Sequence, residues 1–238
     1  MRAPPCAPFA SIKYSVLSSG EVTMPVTVRI PFGGGIGAVE HHSESPEAYF
    51  AHTAGLRVVT PSNRVDAYHL VQQAIACDDP VVFLEPKRRY WDKAEVDLDV
   101  AAPLPMSSAR VAKQGRDVTL VTYGPMVRTC LEAAAAAEAD GVDIEVVDLR
   151  SLSPLDIDTV TGSVRRTGRC VVAHEASVFL GMAAEVAAVV TEHCFFELQS
   201  PVLRVGGFHT PYPPSRLESH YLPDLDRVLH AVDQAMAY

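Results

Sequence analysis

Residues 117–150, "DVTLVTYGPMVRTCLEAAAAAEADGVDIEVVDLR", decide the fold class. Two runs dense in valine, leucine and isoleucine, 117–124 and 143–150, flank a helical stretch, 125–140. Gly141 is a natural helix stop, because glycine enters the left-handed conformation that ends helices without a Cβ penalty. The two runs are near-continuously apolar instead of alternating. That predicts strands buried on both faces, hence a parallel sheet covered by helices.

The same rhythm continues downstream. A helix is predicted over 155–166, with Asp156 in its first turn where a negative charge suits the helix dipole. It is followed by the strand "RCVVAHEA" (169–176), a helix over 181–193, the strand "PVLRVGG" (201–207) and a closing helix at about 224–237. Upstream, "VTVRIP" (26–31), "LRVVTPS" (56–62) and "PVVFLEP" (80–86) read as strands. Between the last two, 63–76 carries Val65, Tyr68, Leu70, Val71, Ala74 and Ile75 at helical spacing, with Ser62 or Asn63 as its cap. Residues 87–116 are polar and proline-interrupted, and read as a linker with an edge strand or hairpin. The expected organisation is an atypical segment 1–24, a first α/β block 25–86, the linker 87–116 and a second α/β block 117–238.

With 238 residues, 48% of them hydrophobic, the chain can form one large or two modest domains. A formal charge of -9 and only short basic clusters argue against a nucleic-acid surface. Five cysteines (Cys6, Cys77, Cys130, Cys170, Cys194) show no C-x-x-C spacing, so they read as small buried hydrophobes in a reducing compartment, without zinc or disulfides. No apolar run approaches a membrane span and no signal peptide is apparent, so the expected location is cytoplasmic. Neither G-x-G-x-x-G nor a P-loop is present.

The most unusual segment is "PFGGGIGAVEHHSESPEAYF" (31–50). Glycines at 33, 34, 35 and 37 exceed what a turn needs and predict close approach to a ligand or a partner chain. His41 and His42 follow. Ser45 is a candidate N-cap, with Pro46 at the first helical position and Glu47 in the first turn. A histidine just before a helix can face a cavity, and its near-neutral pKa suits proton transfer, although a structural hydrogen-bonding role is the commoner one.

In order, "VTVRIPFGGGIGAVEHHSESPEAYFAHTAGLRVVTPS", "AIACDDPVVFLEPKRRYW", "VTLVTYGPMV", "IEVVDLRSLSPLD" and "VVAHEA" resemble the beta subunits of thiamine diphosphate-dependent 2-oxo acid dehydrogenases, within the transketolase-like superfamily. The resemblance runs from about Glu21 to Tyr238, and "HHSESPEAYFAH" and "LEPKRRYW" look most like the branched-chain type. It implies an α/β fold in which a partial thiamine-pyrimidine-binding-type domain precedes a transketolase C-terminal-type parallel-sheet domain. It also implies oxidative decarboxylation of branched-chain 2-oxo acids, with acyl transfer to a lipoyl group. Pyruvate and acetoin dehydrogenase beta subunits are the neighbouring alternatives.

The resemblance implies an alpha subunit in an alpha/beta heterotetramer and a lipoyl acyltransferase as partners, with thiamine diphosphate and magnesium held mostly through the alpha subunit. The G-D-G…N diphosphate motif is absent here, in keeping with that division. His42, which matches the family's His-Ser-x-Ser histidine, is the implied catalytic residue, assisting acyl transfer or binding the substrate carboxylate; His41 supports the loop. A structural potassium ion is implied at the backbone carbonyls of Val26, Thr27, Ala74, Cys77 and Asp79. His174 and Glu175 end a strand of the second block, where assembly is the family's main business, so a structural role is expected for His174.

The family pattern has a longer N-terminal part, carrying the glutamate that protonates the cofactor's aminopyrimidine and an aromatic residue that packs on it. Neither can be placed in this sequence. The expectation is therefore a truncated chain in which the strands near 26–30, 56–60 and 81–85 expose an edge and apolar surface. A non-catalytic assembly module is the competing reading.

Overall fold

The structure is a computed structural model, described here for residues 23–97, 102 and 104–238. Expectations that concern residues 1–22, Cys6 among them, lie outside the described residues. Two sheets carry the chain. The first holds β1 (Thr27–Phe32), β2 (Arg57–Val59), β3 (Val81–Pro86) and β7 (Ser151–Ser153) in the order β1-β3-β2-β7. Strands β1 and β2 both run parallel to β3, and β7 pairs antiparallel with β2. The second holds β4 (Arg110–Lys113), β5 (Val118–Thr122), β6 (Ile144–Asp148), β8 (Cys170–Ser177) and β9 (Leu203–Gly207) in the order β4-β6-β5-β8-β9. All its pairings are parallel except that of the edge strand β4 with β6.

The continuous apolar runs behave as predicted: every residue of β5 and β6 is buried. Helices on both faces cause this. On one face the helix Met126–Ala137 buries Met126, Cys130, Ala133, Ala134 and Ala137, and the closing helix Leu225–Met236 buries Val228, Ala231, Val232 and Ala235. Small side chains at those positions let both helices lie close to the sheet. On the other face the helices Ile157–Thr167 and Met182–Cys194 share a core with β1, β2 and β3 through Phe32, Val58, Val82 and Leu84. This core joins the two sheets. Gly141 ends its helix at φ 81°.

Several local expectations are corrected. Asp156 is not in a first turn but is the N-cap, its carboxylate accepting from the Thr159 N–H at 3.1 Å. Ser45 caps nothing: its hydroxyl is buried without a partner, and Pro46 precedes the helix Glu47–Ala51. In the helix Arg64–Ile75, Asn63 is the cap, but the buried face is Asp66, His69, Leu70 and Ala74, while Val65 and Ile75 are exposed. The helix is rotated because Asp66 is drawn inward by two arginines, Arg150 at 3.0 Å and Arg110 at 3.0 Å.

Among the described residues the expected exposed edge is found at β1, where Val26 and Val28 are exposed. Strands β2 and β3 are buried instead, because β7, contributed by the second block, covers β2. The linker is also tied down: Arg150, fully buried, donates to the carbonyls of Pro105 at 3.1 Å and Ser108 at 2.7 Å. Cys130, Cys170 and Cys194 are buried as expected and Cys77 is half-buried. Among the described residues no helix is long and apolar enough to cross a membrane.

Candidate functional site

The tip of the glycine loop, Gly35 and Ile36, borders an open cavity of about 620 Å³ that it shares with Arg88, Trp91 and Arg128, but the loop's glycine amides are turned toward the chain itself. The loop's start is closed on its end by the Gly33 N–H, which donates to the Glu44 carbonyl at 3.1 Å. Between these ends the chain forms a compact loop stitched to the second sheet. The Gly34 N–H donates to Glu175, which also accepts from Arg88. The N–H groups of Gly35 and Gly37 donate to the two oxygens of Glu218 at 2.8 and 2.9 Å. Tyr212 donates its hydroxyl proton to Glu218 at 2.6 Å. Glycine is needed because Gly33, Gly35 and Gly37 have positive φ, and a Cβ at Gly34 would overlap the Tyr212 hydroxyl and lie 2.7 Å from its ring carbon Cζ. The surface that the loop was expected to approach closely is thus the chain's own second half.

His41 and His42 stand on the four-residue helix Glu40–Ser43 at the outer end of this loop, and both are exposed. The helix is held from within: the His42 N–H donates to Val39 at 3.0 Å, and the buried Ser43 hydroxyl donates to Ala38 at 3.2 Å. His42 therefore faces solvent instead of a cavity. An imidazole fixed at its backbone and free at its ring can exchange a proton with, or hydrogen-bond, a group brought to it from outside.

Behind the loop lies a buried polar cluster that sequence reasoning missed. Glu47 is fully buried and accepts from the Tyr123 hydroxyl at 2.7 Å, with its other oxygen unpartnered. Burial raises its pKa to about 7, outweighing the Tyr123 hydrogen bond. His174, also buried, stacks on Tyr123 with ring centroids 6.0 Å apart, and burial pulls it down to about 4, so it is neutral. The ring packs so closely that a Cβ at Gly181 would lie 2.6 Å from its Cε1. His174 is thus an interior residue packed among groups of the chain itself. No sequence signal marks Glu47, since a glutamate in a first helical turn normally faces water.

The expected potassium carbonyls come from the end of the helix Arg64–Ile75, the following loop and the start of β1. Thr27 donates its hydroxyl proton to the Ala74 carbonyl at 2.9 Å, and Val26 accepts from the Val81 N–H at 2.8 Å. Ala74 also accepts from Cys77 at 3.3 Å, so as a cation ligand it would have to give up bonds it already makes. A separate cavity of about 350 Å³ lies between Phe83, Glu85, Tyr90 and the helix Arg64–Ile75. Its carboxylates are engaged, Glu85 with Arg29 and Tyr90, Asp92 with Arg64 and Arg89. These residues do not fit the task of protonating an aminopyrimidine ring.

Comparison with known proteins follows this geometry closely. The family profile "Transketolase, pyrimidine binding domain" matches residues 9–92, starting earlier than the resemblance read from Glu21, and "Transketolase, C-terminal domain" matches residues 107–228. The chain is 57% identical to the pyruvate dehydrogenase E1 component subunit beta of Leifsonia xyli, over 92% of this chain and 65% of that one. It is 54% identical to the 3-methyl-2-oxobutanoate dehydrogenase subunit beta of Mycobacterium tuberculosis, over 94% and 64%. It is 41% identical to the pyruvate dehydrogenase E1 component subunit beta of Bacillus subtilis, over 93% and 68%. It thus spans about two thirds of the length of these relatives. Among solved structures, one described as "Split gene transketolase, inactive beta4 tetramer" superposes with a TM-score of 0.72 at 26% identity, covering 96% of this chain and 74% of that one. The two matched profiles and the identity to these relatives agree, and the chain belongs to the transketolase-like family, in the branch of the 2-oxo acid dehydrogenase beta subunits.

Proposed function

We propose that the chain acts as the beta subunit of a thiamine diphosphate-dependent 2-oxo acid dehydrogenase, in an alpha/beta heterotetramer. The substrates are branched-chain 2-oxo acids, and the acyl product passes to a lipoyl acyltransferase. The observation that carries this reading is the presentation of His42: an exposed imidazole at the end of a loop whose Gly34, Gly35 and Gly37 amides are bonded to carboxylates of the second block. A residue so placed serves a site completed by another subunit. Likeness to relatives named for 3-methyl-2-oxobutanoate and 2-oxoisovalerate supports the branched-chain substrate, and the relatives named for pyruvate supply the second reading.

Thiamine diphosphate, when bound, supplies the electron sink for decarboxylation. With magnesium it is held by the alpha subunit, in keeping with the poor fit of the Glu85 cavity to that task. This chain's part is narrower. His42 hydrogen-bonds the substrate carboxylate or moves a proton at the lipoyl sulfur during acyl transfer, while Ser43 and the loop amides hold its backbone. Potassium at the carbonyls of Val26, Thr27, Ala74, Cys77 and Asp79 belongs to the same proposal, and it requires the Ala74 carbonyl to exchange its bonds from Thr27 and Cys77 for the cation. A higher Tm in potassium than in sodium chloride tests it.

Reconstitution with an alpha subunit tests the enzymatic reading. Turnover of 3-methyl-2-oxobutanoate above that of pyruvate is expected. The reverse preference would select the pyruvate reading, and co-elution without turnover would leave the assembly-module reading standing.

A further inference from the structure

In the order β4-β6-β5-β8-β9 the chain leaves β5 for β6 on one side and then returns to β8 on the other. Such a reversal opens a crevice at the carboxyl ends of β5 and β8, the usual ligand position in open parallel sheets. Here the glycine loop fills it. A Cβ at Gly33 would lie 3.8 Å from Pro125, just after β5, and 3.1 Å from Glu175 in β8.

We propose that Glu175 and Glu218 are positioning residues that lock the glycine loop into this crevice and thereby fix His42 at the junction of the two sheets. The proposal rests on the assignment of His42 given above. Three amides of the loop answer to these two carboxylates: the Gly34 N–H to Glu175, and the Gly35 and Gly37 N–H groups to Glu218. Each carboxylate is itself oriented by a second group, Glu175 by Arg88 and Glu218 by the Tyr212 hydroxyl. The Gly37 carbonyl in turn accepts from Ser215, three residues before Glu218, so donor and acceptor sides of the loop are both held by one segment. Backbone amides converging on a carboxylate form strong, directional bonds because the acceptor is charged.

The groups facing Glu218 are the Tyr212 hydroxyl, the two glycine amides and the Arg88 guanidinium. Burial pushes its pKa up, but these groups outweigh burial and hold it below the usual glutamate value. The lock is therefore present above the ordinary carboxylate range and lost as pH falls through the lowered folded-state value.

Hydrogen exchange of the full chain, read at single amides, tests this without reference to turnover. In Glu218→Ala the amides of Gly35, Gly37 and His42 should exchange tenfold or more faster, while those of β5 and β8 are unchanged. In Glu218→Gln the increase should be smaller, and the loss of protection at low pH shown by the Gly35 and Gly37 amides of the parent chain should vanish. Tyr212→Phe, which removes one orienting bond, serves if Glu218→Ala does not fold. Unchanged exchange at His42 in these variants would overturn the proposal, as would acceleration spread equally through the sheets. Loop loosening with intact acyl transfer would instead count against the role of His42.

Discussion

Replacing Glu47 with glutamine should change how stability responds to pH more than its size at acid pH. The carboxyl is fully enclosed, and burial raises its pKa from 4.5 to about 7. Folding therefore takes up a proton between these values, and the group's contribution to stability is lost as pH rises from about 4.5 to about 7. The gap corresponds to about 3 kcal/mol. His174 works in the opposite sense. Burial lowers its pKa from 6.5 to about 4, so folding releases a proton and its contribution grows as pH rises through that window, again by about 3 kcal/mol. The two largely cancel near pH 5 to 6. Asp148, raised to about 6 chiefly by burial, acts in the same direction as Glu47, so the informative quantity is the difference between variant and parent. Glutamine can accept the Tyr123 hydrogen bond but cannot ionise. Urea unfolding should give parent and Glu47→Gln within about 1 kcal/mol of each other at pH 5, and the variant more stable by about 2–3 kcal/mol at pH 8. A stability difference that is the same at both pH values would refute the reasoning.

Other perturbations probe separate parts of the fold. Arg150→Ala removes a fully buried cation bonded to Asp66, Pro105 and Ser108, and should cost about 3–5 kcal/mol in chemical denaturation. Gly34→Ala forces a Cβ against Tyr212 and should cost about 1–3 kcal/mol, seen as a lower Tm. His42→Ala, at an exposed position, should change stability by no more than about 0.5 kcal/mol while abolishing acyl transfer to a lipoyl domain in the reconstituted complex.

The second sheet was legible from the sequence because its central strands β5, β6 and β8 are buried on both faces, and a run such as 143–150 has no other economical reading. The first block was less so. Asp66 sits inside because Arg150, 84 residues away, reaches it, and no local periodicity records so distant a partner. Likewise β7 is only three residues long, too short for a periodic signal, yet it decides that β2 is covered. At the site, the excess of glycine correctly marked a close approach, but glycine does not name what approaches. Glu175 and Glu218 stand 141 and 183 residues from their loop partners; Glu218 carries no motif, and "VVAHEA" marks Glu175 without showing what it bonds. Ser45 was misread as a cap because capping depends on local backbone direction as well as residue type.

The most direct test of the functional account is single-turnover acyl transfer with the full chain, an alpha subunit, thiamine diphosphate, magnesium, 3-methyl-2-oxobutanoate and a lipoyl domain, comparing the parent with His42→Ala. The account predicts that both beta chains co-elute with the alpha subunit and that only the parent acylates the lipoyl domain. Equal acylation by the two would contradict it.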